Sequence, residues 1–236
     1  LIVLNTMLAD SLDWVGNRLE AELGKGLDLD TAILTVLKEI MENHGQVIFG
    51  GNGYSEEWHK MAVEERGLAN LRTTADALPV LKEKYIEELF EKTGVLTPVE
   101  LESRFEVYAE QYIKSIDVEV KLVISIAKTL IYPAAIEYLS KLSGTIASLG
   151  SMGIDLDKSS AKTIAELANK MITSVDKLSS AYEKHGFAST EEEMQYYAQT
   201  LRPLMDEVRV YADGIEAEVA DSYWPLPTYQ EMLFIK

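Results

Sequence analysis

Glu56 and His59 form an E-x-x-H pair, and on a helix that spacing puts a carboxylate and an imidazole on one face. Di-metal carboxylate bundles hold ions this way, but they need a second such pair, and the sequence has none. A solvated helix face is therefore the favoured reading, and metal ligation is not expected. His44 and His185 each stand directly before a glycine. A helix C-terminus, where an imidazolium meets the negative end of the dipole, explains both better than ligation does. The loop Gly50-Gly51-Asn52-Gly53 invites comparison with a phosphate cradle. It lacks the lysine followed by Ser or Thr and the dinucleotide spacing, so a structural turn is the stronger reading. Ser, His and Asp occur without a nucleophile elbow, which leaves hydrolase chemistry unsupported. Glu191, Glu192 and Glu193 suit the first turn of a helix. No catalytic, cofactor-binding or metal-ligating residue is assigned.

Charge narrows the partners. The 236 residues carry 39 acidic and 22 basic side chains, a formal net charge of -17. That field repels phosphate backbones and anionic lipid, so neither nucleic acid nor a membrane is an expected partner. The absence of cysteine rules out disulfides and thiolate metal sites and fits a reducing, cytoplasmic setting. No apolar run approaches the roughly 20 residues of a spanning helix. The chain opens on Leu1 in the middle of a helical pattern, which reads as a fragment.

These residues must be positioned by helices. Leu4, Leu8, Leu12, Val15 and Leu19 recur at helical spacing up to Gly24 and Gly26, and Asp30 reads as the N-cap of a second helix stopped by Gly45. Gln46 to Phe49 is the best strand candidate. Ser55 caps a helix closed by Gly67, and Pro79 breaks a short turn before a helix ended by Gly94.

Thr97-Pro98-Val99-Glu100 is a strong helix start. The apolar positions from Leu101 through Phe105, Tyr108, Tyr112, Ile116, Val120, Val123, Ala127 and Leu130 predict one long helix, bent at Pro133. A loop from Ser148 to Gly153 leads to a helix capped by Asp155 or Asp157 and burying Ile164, Leu167, Met171, Val175, Leu178 and Tyr182. Ser189 starts the last long helix, in which Pro203 predicts a second bend. Tyr108, Tyr112, Tyr197 and Tyr211 are expected in the core with their hydroxyls at its edge. The tail Tyr223 to Tyr229 is expected to pack back through its aromatics. The fold class expected is mainly α: short helices with a minor strand element, then an antiparallel bundle of three long helices.

Several blocks resemble the carboxyl end of type III glutamine synthetases. They are Val47-Ile48-Phe49-Gly50-Gly51-Asn52-Gly53-Tyr54-Ser55-Glu56-Glu57-Trp58; Arg66-Gly67-Leu68-Ala69-Asn70-Leu71-Arg72-Thr73-Thr74; Glu91 to Thr97 with Glu100 to Arg104; Ala127-Lys128-Thr129 with Pro133 to Ile136; and Trp224 to Tyr229. Leu4-Asn5-Thr6 with Asp10 to Asp13 looks like the helix that follows the last catalytic strand of that family. Asn52 stands where the family has aspartate, and Ala69 where it more often has proline.

The resemblance implies two parts: 1-97 as the end of the catalytic region and 98-236 as a long-helix extension. It also implies an enzyme that uses ATP and Mg to join glutamate and ammonia. Its catalytic residues, including a K-F-E-F-R-like strand absent here, lie upstream, so this part acts in structure and assembly and is inactive alone. The expected partners are the upstream catalytic region of the same polypeptide and further copies in a homo-oligomer. The rival reading is a stand-alone acidic helical module that docks a partner helix.

Overall fold

A computed structural model describes residues 1–233; the side chains of Tyr229 and Gln230 lie outside that description. The chain folds into two compact units, Leu1–Val107 and the remainder from Tyr108.

The first unit holds α1 (Ile2–Gly24), α2 (Leu29–His44), α3 (Glu56–Glu64), α4 (Thr74–Ala77) and α5 (Lys84–Lys92), and takes in the start of α6 (Pro98–Ile126). Asp28, two residues earlier than the sequence suggested, caps α2 by accepting from the Thr31 N–H at 3.1 Å. Ser55 and Thr73 cap α3 and α4 in the same way, each satisfying an N–H that has no partner within its helix. Ala32, Val36, Ala62, Ala75, Phe90, Leu101 and Phe105 form the core of this unit.

The strand expected at Gln46 to Phe49 is absent. Gly45–Val47 forms a 3-10 turn that prolongs α2, and no strand occurs among the described residues. The apolar run offered strand residues but no second strand with which to pair. Gly45 itself has φ −59°, so it continues the helical course rather than ending it in the left-handed region.

In the second unit α6 runs through a π-turn (Ala127–Ile131) into α7 (Tyr132–Ser151). Next come α8 (Ser159–Tyr182), then α9 (Thr190–Tyr196), a second π-turn (Tyr197–Leu201) and α10 (Arg202–Glu218), and last α11 (Tyr229–Leu233). The three long helical runs form the expected bundle. Both π-turns end two residues before a proline, Pro133 and Pro203. Proline has no N–H and crowds the carbonyl four residues back, and a wider turn placed just before it accommodates both defects without ending the helix.

The first run therefore continues for 54 residues, about 80 Å. It extends past the expected loop at Ser148 and leaves 152–158 as the connection. The N-cap position of α8 is Lys158, which makes no side-chain cap bond, so neither Asp155 nor Asp157 is the N-cap; Asp157, one residue earlier, accepts from the Ser159 N–H at 3.0 Å.

The 54-residue run contains an 18-residue window of mean hydropathy 1.4, long and apolar enough to cross a membrane by length and composition. This corrects the expectation that no segment comes near that length. Counting uninterrupted apolar residues missed it because Lys128 and Glu137 interrupt the stretch. Lys128 pairs with Asp176 of α8 at 3.0 Å. Ala127, Ile131, Ala134 and Ala135 are buried on the bundle side, and 22% of the window is buried in all.

The inner row of the first run is Leu101, Phe105, Ala109, Ile113, Ile116, Val120, Ala127 and Ile131. Leu130, expected inside, is exposed, and Tyr108 is also exposed. Ile131, one turn after buried Ala127, continues the inner row, and Leu130 falls beside it. Ile164, Ala168, Met171, Val175 and Leu178 are the buried stripe of α8, which packs on both α7 and α10. Gly214 of α10 lets the helices approach: a Cβ there would stand 3.2 Å from Leu167. The tail packs back as expected, with the Tyr223 ring 5.4 Å from that of Tyr138. The part of that expectation resting on the Tyr229 side chain lies outside the described residues.

Candidate functional site

The glycine-rich loop is fixed by aromatic stacking and one cation. The Phe49 and Trp58 rings stack with centroids 4.1 Å apart and planes inclined by 20°. The Arg66 guanidinium lies 5.1 Å from the Trp58 ring and 5.7 Å from Phe49. It also donates to the carbonyls of Ile48 at 2.6 Å and Gln46 at 3.2 Å. A Cβ on Gly51 would stand 2.5 Å from the Phe49 ring, so only glycine leaves the stack in place. Asn52 Oδ1 accepts from the Tyr54 N–H at 3.0 Å, and the Ser55 hydroxyl donates to the Asn52 carbonyl at 2.9 Å.

A phosphate cradle needs free N–H groups and a free cation. Here the cation is engaged with carbonyls, and the loop is a pinned turn. Sequence reasoning did not foresee this sandwich. The signal was present in two aromatics flanking the glycines and an arginine just past the helix.

Glu56 and His59 share the first turns of α3, but their closest approach is 3.9 Å, too long for a hydrogen bond. Glu56 reaches Arg72 instead, at 3.4 Å. His44 ends α2 without a left-handed glycine after it, because Gly45 goes on into the 3-10 turn. His185 lies beyond the end of α8 at Tyr182, in the turn that closes at Gly186 with φ +83°. Glu191, Glu192 and Glu193 occupy the first turn of α9. Glu192 accepts from the Ala188 N–H at 2.8 Å, while its own N–H donates to the Ser189 hydroxyl at 3.1 Å. Thr97 and Glu100 form a reciprocal capping box, at 2.9 and 3.3 Å. Among the described residues no three His, Asp or Glu side chains stand together as an ion site.

The bundle has its own polar cluster. Asp117 of α6 accepts from the Tyr182 hydroxyl and pairs with Lys121 at 2.7 Å. The Lys121 hydrogen bond, with that of Tyr182, holds the Asp117 carboxyl below its usual range. Burial raises Tyr182, and the bond to Asp117 adds to it. Burial also pushes Tyr197, in the second π-turn, up to about 12, reinforced by Glu193 and Asp117. Between α8 and α10, the buried Ser174 hydroxyl and Lys177 meet Glu207 at 2.9 and 3.2 Å. Of the four tyrosines expected inside, Tyr197 is buried, Tyr112 and Tyr211 are half-buried, and Tyr108 faces solvent. The Tyr112 hydroxyl is itself buried rather than at the edge, with no hydrogen-bond partner among the described residues.

Tyr197 gives the bundle an alkaline limit. A raised folded-state pKa stabilises fully below the unfolded value of about 10 and is lost as pH climbs through about 12. Discounted for solvent screening, the loss is on the order of 1 kcal/mol. Tyr197→Phe is expected to flatten urea-unfolding stability across that window. Tyr182, also raised, leaves a residual slope.

Pinned loop, capping boxes and interhelical ion pairs together define a helical packing domain whose polar groups hold backbone and helices in place. Residues 32–150 match the glutamine synthetase C-terminal domain family, and the chain belongs to that family. It is 33% identical over 245 aligned positions to the Type-3 glutamine synthetase of Dictyostelium discoideum, which aligns with all of this chain. It is 33% identical over 221 positions to a glutamine synthetase of Butyrivibrio fibrisolvens and 26% over 245 to one of Bacteroides fragilis, covering 89% and 100% of the chain. The chain spans about a third of the length of these relatives: 33%, 30% and 34%.

Proposed function

We propose that this chain is the C-terminal portion of an ATP-dependent glutamate–ammonia ligase of the type III class, with a structural and assembly role. Alignment of the whole chain with one third of the Dictyostelium Type-3 enzyme carries the reading. In such a ligase ATP phosphorylates the side-chain carboxylate of glutamate and ammonia displaces the phosphate. That chemistry needs carboxylates and cations converging on phosphate and Mg.

No cluster among the described residues fits an ion, so no step is written through this chain. ATP and Mg belong, on this reading, to polypeptide outside it. Residues 1–97 would close the catalytic region and 98–236 would form the extension. The helical extension suits a brace between copies in a cytoplasmic homo-oligomer.

The test is glutamine formation from glutamate, ammonia, ATP and Mg. The full-length protein is expected to turn over and this chain alone to give none. Glutamine from the chain alone would refute the structural role, and its absence from the full-length protein would refute the ligase.

A further inference from the structure

In its first half helix α1 is packed on its polar side. The buried residue there is Thr6. Asp10 and Asp13, near it on the wheel, meet Lys92 of α5 at 2.8 and 3.4 Å. In the second half the packed side is a different one: Glu22, about five full turns from Leu4, is buried and takes Lys25 at 2.8 Å, and Arg18 binds Glu39 of α2 at 2.6 Å.

The apolar row points the other way. Leu4, Leu8 and Leu12, spaced i, i+4, i+8, fall on one line roughly opposite Thr6, and they are 68%, 60% and 62% exposed. A helix half that buries Thr6 and presents a leucine row to water has the packing partner of that row elsewhere.

We infer that the leucine row of α1 docks onto the polypeptide that precedes this chain in the longer ligase, within the same subunit. The inference rests on the reading that the chain is part of such a ligase, and it names the surface that joins the two parts. Two findings favour that occupant. The relatives are about three times as long as this chain and two of them align with all of it, whereas the match to the C-terminal domain family begins only at residue 32. Helix α1 therefore lies before the matched domain, in sequence the relatives share. The other finding is the net charge of -17, which opposes docking this face on a second copy of the same acidic chain.

The test uses the full-length protein with a photo-crosslinking phenylalanine analogue placed at Leu8, in a mixture of isotope-labelled and unlabelled subunits. The expected adduct lies in the preceding polypeptide of the same subunit. An adduct between labelled and unlabelled subunits, an adduct elsewhere, or none overturns the proposal. In the unsubstituted protein, hydroxyl-radical oxidation of Leu4, Leu8 and Leu12 should be as slow as that of buried Leu178. Oxidation as fast as in the urea-unfolded protein overturns it as well. Neither measurement involves substrate, so a docked α1 in a protein that makes no glutamine would sink the ligase reading alone, and the converse result would sink only the docking.

Discussion

Ile131→Ala is expected to destabilise the bundle by about 3 kcal/mol, while Leu130→Ala one position away costs about 1 kcal/mol or less. Ile131 is 5% exposed and Leu130 41%. Ile131 stands about one turn after buried Ala127 and about three after buried Val120, so the inner row passes through it, while Leu130 falls beside that row. Truncating the buried member removes its transfer free energy and leaves a cavity that close-packed neighbours fill only in part. Leu178→Ala, at a fully buried position of α8, calibrates the scale at about 3–4 kcal/mol. Urea midpoints of the three variants measure this. Equal losses at 130 and 131 would mean that Ile131 does not face the core of the bundle.

Phe105→Ala should cost about 4 kcal/mol, because the ring is fully buried and its removal opens a large void. Lys82 holds its ammonium 4.7 Å from the same ring, so Lys82→Met should cost about 1 kcal/mol or less. Tyr108→Ala, three residues on and facing solvent, is expected to change little. Hydrogen exchange of amides in Leu1–Val107 reads the effect within that unit: Phe105→Ala should accelerate its slowest amides and Tyr108→Ala should not. Equal protection in both variants would place the ring outside the core.

The helix starts were legible because a cap is a local device. Thr97 with Glu100, Ser189 with Glu192, and Ser55 before two glutamates each carry donor and acceptor within four residues, and each forms in the structure. Gly26, Gly67, Gly94 and Gly186, with φ between +65° and +87°, mark helix endings for a similarly local reason. The bundle could be read from three apolar stripes that must bury one another. Family membership was carried by ordered blocks along the whole chain.

Tertiary contact decided everything that depends on a partner distant in sequence. Gln46 to Phe49 has the side chains of a strand, but a strand exists only when another strand pairs with it, and none does. The Phe49–Trp58–Arg66 sandwich joins residues up to 20 apart through two carbonyls, which a reading of side-chain types does not see. Proline announced a disturbance at 133 and 203, and the structure shows that it takes the form of a π-turn just before each proline instead of a break.

The leucine row of α1 shows the division most clearly. Its periodicity is written in the sequence, but periodicity marks which residues share a face and says nothing of which face is inward. In the first half of the helix the ion pairs from Asp10 and Asp13 to Lys92 hold the Thr6 side in.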